Sequence, residues 1–216
     1  MTYTTRFPRL PAALFSLVVA MLLLGATGTP AFSQSASNES AQIRQMLEER
    51  DQEIKSILRG TSEYTQQQRE DLKALINGVL DFRAMGRTAL GPFWDDLSDA
   101  QRAEFLSVFQ DVVRTQSLSD LEVYSSTVTY DAIRVDGDSA FVRTTTTYQG
   151  TSTPVEYVLH RTDSTWLAED IIIDDVSTAE SYARSYQTFM RKRGFDALMN
   201  VLRKKRDEAP SANQSE

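Results

Sequence analysis

The middle of the chain changes from helical to extended character at Thr127, and this change limits the possible folds more than any other feature. Between Thr127 and Ile173, β-branched and aromatic residues dominate, as is typical of β-strands. Asp136-Gly137 is a tight-hairpin signal, and a turn-rich TDST segment precedes Trp166. These signals predict four strands joined by short hairpins. Because such links are too short for a crossover, neighbouring strands should pair antiparallel.

Helical patterns flank the strands on both sides. A surface helix with apolar residues from Ile43 to Leu58 is predicted to end at Gly60. Three later helix starts carry capping boxes: Thr65 with Gln68, Ser98 with Gln101, and Ser177 with Glu180. The helix after Ser98 is predicted to reach about Val123, and Gly194 is predicted to divide the last helical region. The chain therefore places helices over one antiparallel sheet.

An apolar connector, Asp81–Gln101, joins two of these helices. A Gly-Pro pair directly after Leu90 breaks any helix that reaches it. Burying the adjacent aromatic residues Phe93 and Trp94 requires a deep partner surface. We predict that Phe93 and Trp94, with Met85 and Leu90, hold the helices open against the sheet and border a pocket.

The N-terminus has the pattern of a secretory signal peptide. Arg6 and Arg9 precede an apolar run, Ala12–Leu24, which is shorter than the roughly 20 residues that a membrane-spanning helix needs. Small residues follow, and we predict cleavage after Ser33. The predicted organisation is a signal peptide at 1–33, a single domain at 34–206 and a disordered tail at 207–216.

Composition narrows the functions that the chain can have. With 23 Lys and Arg against 30 Asp and Glu, its net charge is −7, which disfavours nucleic acid and stable docking on an anionic bilayer. It contains no cysteine, so its stability must come from a hydrophobic core. His160 is the only histidine, which removes most of the usual zinc ligands and catalytic bases. The basic run Arg203–Arg206 is most simply a solvated helix end, although a headgroup or nucleic-acid patch is the alternative.

Threonines on the second strand leave two interpretations open. Strand alternation places Val142, Thr144 and Thr146 on one face, opposite Tyr157 and its neighbours on the third strand. Inward hydroxyl groups make a weak core, so they either line a cavity or belong to a solvated strand. The apolar helix faces exceed what a four-stranded sheet needs for cover, which favours a cavity.

Several motifs together resemble those of the MlaC family, also called toluene-tolerance auxiliary proteins. They are LDFRAMGRTALGPFW, LSDAQRAEFLSVFQ, PVEYVL, WLAEDIIIDDVSTAESY and RKRGFDALMNVLRKK, and they follow the family's order over residues 72–205. The chain departs from the family's Thr-Tyr and Tyr-Arg pairs, where it has Thr115-Gln116 and Tyr182-Ala183.

The resemblance implies an α+β fold in which an NTF2-like, curved, four-stranded antiparallel sheet and several helices enclose a hydrophobic pocket. It also implies a periplasmic shuttle that carries glycerophospholipid between the outer and inner membranes for the ABC-type Mla system. No cofactor or covalent chemistry is implied, only phospholipid as cargo. The implied partners are an outer-membrane MlaA-type lipoprotein and the inner-membrane MCE-domain, or MlaD-type, transporter component.

We expect the pocket lining to come from the connector, the strands and the helices around them. The expected residues are Met85, Leu90, Phe93, Trp94, Leu106, Phe109, Val113, Val142, Thr144, Thr146, Val155, Tyr157, Leu159, Ile171, Ile173, Val176 and Tyr182. The main alternative is an NTF2-like small-molecule enzyme that uses Asp170 and Tyr157 as acid and base. A purely structural envelope protein is the third hypothesis.

Overall fold

The structure, a computed structural model, describes residues 31–59, 63–118 and 121–208. Its helices and strands are α1 (Ala31–Leu58), α2 (Gln66–Asn77), α3 (Phe82–Leu90), α4 (Asp99–Ser117), β1 (Thr127–Asp136), β2 (Ser139–Tyr148), β3 (Thr151–Arg161), β4 (Trp166–Ile173), β5 (Val176–Ser177) and α5 (Thr178–Asp207). Two 3-10 helices are Gly91–Trp94 and Glu122–Ser125. Most of the predicted signal peptide, the predicted helix end at Gly60 and the tail from residue 209 lie outside the described residues.

The sheet is an antiparallel meander in the order β1-β2-β3-β4-β5. The short-hairpin prediction is confirmed, but the prediction of four strands is wrong by one. Asp174 and Asp175 adopt φ angles of 49° and 62° and turn the chain back along β4. Val176 then pairs with Ile173, and α5 begins only at Thr178.

Helix ends follow the local signals except at one position. The capping boxes at Thr65 and Ser98 are confirmed, and Ser177 accepts a hydrogen bond from the Glu180 N–H. The prediction that α4 reaches Val123 is wrong, because α4 ends at Ser117. The apolar residues beyond α4 do not continue its apolar stripe. Instead, Leu118, Leu121 and Tyr124 pack against Ile54 of α1 and against Leu72 and Ile76 of α2.

Helix α5 bends sharply at Gly194, whose φ of 77° and ψ of 179° are not helical. The predicted division of the last helical region is therefore confirmed. The second half of α5 continues to Asp207, one residue into the segment predicted as a tail.

None of the helices in the described part of the chain combines the length and apolar character needed to span a bilayer.

Buried apolar side chains form two large cores. The helix core joins α3, α4, α5 and the 3-10 helix Gly91–Trp94. The sheet core joins one face of the sheet to Ile43 and Leu47 of α1 and to Val79. Leu80 packs against both cores, so it lies at the seam between them.

The start of the connector is fastened to the sheet. The Asp81 N–H donates to the Ala168 carbonyl at 2.8 Å, and the Ala168 N–H donates to the Val79 carbonyl at 2.7 Å. The Asp81 carboxylate accepts from the Ala84 N–H at 2.8 Å and lies 3.1 Å from Nε2 of His160. His160 is thus a partly exposed strand residue that helps to hold α3 at the sheet.

Candidate functional site

Cross-strand register defines one continuous face of the sheet, which we call the inner face. Residues directly opposite each other in an antiparallel pair point to the same side. One row therefore crosses all five strands through Tyr130, Thr144, Val155, Ile173 and Val176. All eight predicted site residues of β2, β3 and β4 share this face: Val142, Thr144, Thr146, Val155, Tyr157, Leu159, Ile171 and Ile173.

Cover over the inner face is uneven. At one end Val142 and Leu159 are 0% exposed and pack with α1 residues, Val79 and Leu80 in the sheet core. At the other end, on β4 and β5, Ile173 is 49% exposed and Val176 is 54% exposed. Exposed aliphatic side chains in one row indicate that the described helices leave this end of the inner face open.

The threonine interpretations can now be compared at Thr144. Its side chain is only 1% exposed, and its hydroxyl donates to the Val155 carbonyl at 2.8 Å. Thr146, two residues further towards the open end, is partly exposed. Thr144 is therefore a buried, satisfied residue of the sheet rather than part of a solvated strand.

Two tyrosines on the inner face lie beneath charged residues of α1. The Arg44 guanidinium stands 5.0 Å from the ring centre of Tyr130. Burial and the nearby Asp51 carboxylate raise the pKa of Tyr157 to about 12, and burial likewise raises the pKa of Tyr130. Both hydroxyl groups therefore stay neutral at physiological pH, and these tyrosines bring no charge to the face.

Replacing Tyr157 with Phe should make stability less sensitive to alkaline pH. The pKa of Tyr157 is higher in the folded chain, so its stabilising effect is complete below pH 10 and is lost as the pH rises through about 12. We expect the free energy of unfolding of the wild type to fall by about 1 to 3 kcal/mol more than that of Tyr157→Phe over this range. Urea titrations at several pH values measure this, and parallel curves for the two proteins would contradict it.

The remaining predicted residues lie in or against the helix core. Met85 is 1% exposed, Leu90 0% and Trp94 4%, with Phe93 packed at the margin. Phe109 is central, because its ring stacks on that of Phe105 at 5.4 Å and meets Tyr182 edge-on at 5.2 Å. Leu106, Val113 and Tyr182 complete this group.

The predicted site residues thus fall into two groups on the two sides of Leu80. Val142, Tyr157, Leu159 and Ile171 belong to the sheet core or its margin, whereas the connector residues belong to the helix core. Their assignment to a pocket stays a prediction.

A glycine allows the helix core to pack this closely. A Cβ at Gly86 would lie 2.8 Å from Cδ2 of Leu106 and 3.2 Å from Cε1 of Phe105. Any larger residue would force the side chains of Leu106 and Phe105 to shift. Nearby, the Tyr182 hydroxyl donates to the side chain of Gln116 at 2.7 Å, and Gln116 is one of the positions where the sequence departs from the MlaC pattern.

Asp170 and Tyr157 cannot act together on one substrate. Tyr157 pairs with Ile171 and Val158 with Asp170, so the two side chains point to opposite faces of the sheet. Both carboxylate oxygens of Asp170 are occupied, by the Ser177 hydroxyl at 2.5 Å and the Ala179 N–H at 2.9 Å. Asp170 therefore fastens the start of α5 to β4.

Within the described ranges, no three acidic or histidine side chains are grouped closely enough to hold a metal ion.

Sequence reasoning missed a groove between α2 and α4. Its volume is about 400 Å³, and it is lined by Glu70, Lys73, Ala74, Asn77, Gly78 and Arg114. Along the sequence, the lining residues of α2 have the spacing of an ordinary solvated helix face. The groove becomes visible only in the structure, where Arg114 of α4 lies against these α2 residues.

The fold and the partly open inner face define a small α+β protein in which helices cover one side of an antiparallel meander incompletely. The chain belongs to the MlaC family, whose model, described as MlaC protein, matches residues 38–204. The resemblance seen in the sequence motifs is therefore confirmed.

One solved structure extends this comparison. The chain is similar to a phospholipid-binding protein from Ralstonia solanacearum, whose structure was determined in complex with a phospholipid. The TM-score is 0.66 at 20% identity, over 79% of this chain and 98% of that chain. At this identity the similarity shows that the fold is shared. No curated protein matches the chain in sequence.

Proposed function

We propose that this protein binds a glycerophospholipid and carries it through the periplasm between the outer and inner membranes for an ABC-type Mla system. Membership of the MlaC family and the phospholipid bound to the structural relative support the proposal. The observation that carries it is the open end of the inner face, where the aliphatic side chains of Ile173 and Val176 are about half exposed. The proposed partners are an MlaA-type lipoprotein and an MlaD-type transporter component.

The energetics of acyl chains explain why such a face is needed. Each methylene group moved from an apolar site into water costs about 0.8 kcal/mol, so a lipid with two long chains requires an enclosing apolar surface. Val155, Ile173 and Val176 offer the first contacts. From there the acyl chains can follow the seam at Leu80, which packs against both cores. Separating the two cores at this seam leaves the packing within each core largely intact.

Binding of this kind needs no bond-making group. The tyrosines of the inner face are held neutral, and Asp170 is occupied on the other face. Carriage therefore depends on apolar contact and on a change in the distance between the sheet and the helices. We propose a binding protein without covalent chemistry.

The direct test is whether the protein purifies with lipid. Protein prepared from the periplasm without detergent should release phospholipid into an organic extract, in about stoichiometric amount. Native mass spectrometry should show the corresponding added mass. Protein refolded after removal of the lipid should regain it from phospholipid vesicles. An empty protein that also stays empty after incubation with vesicles would contradict the proposal.

Transfer is a separate measurement. Donor and acceptor vesicles that carry a fluorescent phospholipid should exchange it faster when the protein is present. Copurification with an MlaA-type and an MlaD-type protein would test the two docking steps. Lipid retention without accelerated exchange would support binding while contradicting carriage.

A further inference from the structure

The groove between α2 and α4 is held in a fixed shape by a buried amide. Asn77 is only 2% exposed; its Nδ2 donates to the Lys73 carbonyl at 2.9 Å, and its Oδ1 accepts from the Ser117 hydroxyl at 3.0 Å. These bonds connect the end of α2 to the end of α4. The walls of the groove are therefore set before any ligand arrives.

Cations outnumber carboxylates around this groove. Lys73 and Arg114 line it, and Arg50 lies directly behind Gly78, since a Cβ at Gly78 would be 2.8 Å from Nη1 of Arg50. Glu70 is the only carboxylate in the lining, and it lies 3.5 Å from the Lys73 ammonium. In a chain with a net charge of −7, a local excess of positive charge is notable.

The two arginines lack ion pairs within the described residues. The Arg114 guanidinium stands 5.0 Å from the ring centre of Phe82, and no carboxylate lies within ion-pairing distance of it. Arg50 donates from Nη1 to the Leu75 carbonyl at 2.7 Å, but its Nε is buried without a hydrogen-bond partner. Burial lowers the pKa of Arg50, an effect that Glu53 offsets only in part.

Two basic residues near the end of α5 do have carboxylate partners. In the C-terminal basic run, Arg203 pairs with Glu104 and Lys204 lies 3.5 Å from Glu208. Stabilisation of a helix end explains part of the position of Arg50, because its Nη1 donates to the Leu75 carbonyl in the last turn of α2. It does not explain why the Arg50 Nε is buried without a partner or why the Arg114 guanidinium lines the groove.

We propose that this groove binds a phosphate group, either as inorganic phosphate or as the phosphodiester of a lipid headgroup. The planar guanidinium of Arg114 presents parallel donors that match two oxygens of a phosphate, and Lys73 adds a mobile ammonium. Arg50 contributes positive charge from behind the groove. The proposal does not depend on lipid carriage, since an empty protein can also bind inorganic phosphate.

Titration with inorganic phosphate tests the site. Resonances of Lys73, Ala74 and Gly78 should shift saturably in NMR spectra at constant ionic strength. The double variant Lys73→Gln/Arg114→Gln should weaken binding at least tenfold. Arg184→Gln is the matched control, because Arg184 is an exposed arginine on α5 whose loss should leave the affinity unchanged. Non-saturable shifts, or equal weakening in the control, would overturn the proposal.

The source of the phosphate is decided by comparing lipid-loaded and lipid-free protein. If the groove holds the headgroup, loading from phosphatidylglycerol vesicles should suppress inorganic phosphate binding. If it holds free phosphate, both forms should bind it equally. Failure to load lipid at all would contradict the carrier function and leave the phosphate titration of the lipid-free protein as an independent result.

Discussion

Val155→Glu should strongly reduce lipid retention and leave the chain folded, whereas Val142→Glu should unfold it. Both residues point to the inner face, on β3 and β2. Val142 is 0% exposed in the sheet core, and an unpaired carboxylate there costs several kcal/mol, on the order of the whole stability of a domain. Val155 is partly exposed, so its glutamate reaches water while placing charge where acyl chains would lie.

Lipid extraction and thermal melting of the same preparations measure both effects. Val155→Glu should lower the bound lipid at least fivefold with a melting temperature close to that of the wild type. Ser152→Glu is the control, since it adds the same charge to an exposed position on the other face of β3. A folded Val155→Glu protein with wild-type lipid content would exclude the open end of the inner face as the binding surface.

The difference between these two valines also shows how far the sequence alone can lead. Strand alternation assigns Val142 and Val155 to one face correctly, because side-chain direction is a local property of extended chain. It does not distinguish a covered position from an open one. That depends on where α1 and the segment at Val79 and Leu80 lie. The sequence spacing of α1 says only which of its own faces is apolar.

Local signals predicted the ends of helices well where a side chain caps the helix by a hydrogen bond. Thr65 and Ser98 begin helices because their hydroxyl groups accept from the backbone three residues later. The exception at β5 has a cause that no capping signal shows. Asp174 and Asp175 adopt left-handed backbone angles that non-glycine residues rarely take, and this turn adds β5 to the sheet.

The connector shows the same limit at the candidate site. Its aromatic residues do have the deep partner surface that the sequence indicated, but that surface is chiefly α4 and α5 in the helix core. Gly86 permits this close approach, and periodicity gave no sign of which helix it would face. The groove at Lys73 and Arg114 was missed for a related reason, because its residues come from helices far apart in sequence.

Phe109→Ala should cost about 3 to 5 kcal/mol of unfolding free energy if the helix core is as closely packed as the structure indicates. The ring is 0% exposed and touches Phe105, Tyr182 and Tyr186, so truncation leaves a cavity that these aromatic rings cannot fill without losing their own contacts. Phe109→Leu, which retains most of the apolar volume, should cost clearly less. Urea unfolding of both lipid-free variants gives the comparison.

The same variant tests whether the helix core is a solid support or a wall of the lipid site. A solid core predicts the large stability loss together with unchanged lipid stoichiometry in the protein that remains folded. If acyl chains instead reach Phe109, Ala at this position should cost little in the lipid-free protein and should change how much lipid is retained. The first outcome confines the chains to the inner face and the seam at Leu80; the second extends the site into the group formed by Met85, Leu90 and Trp94.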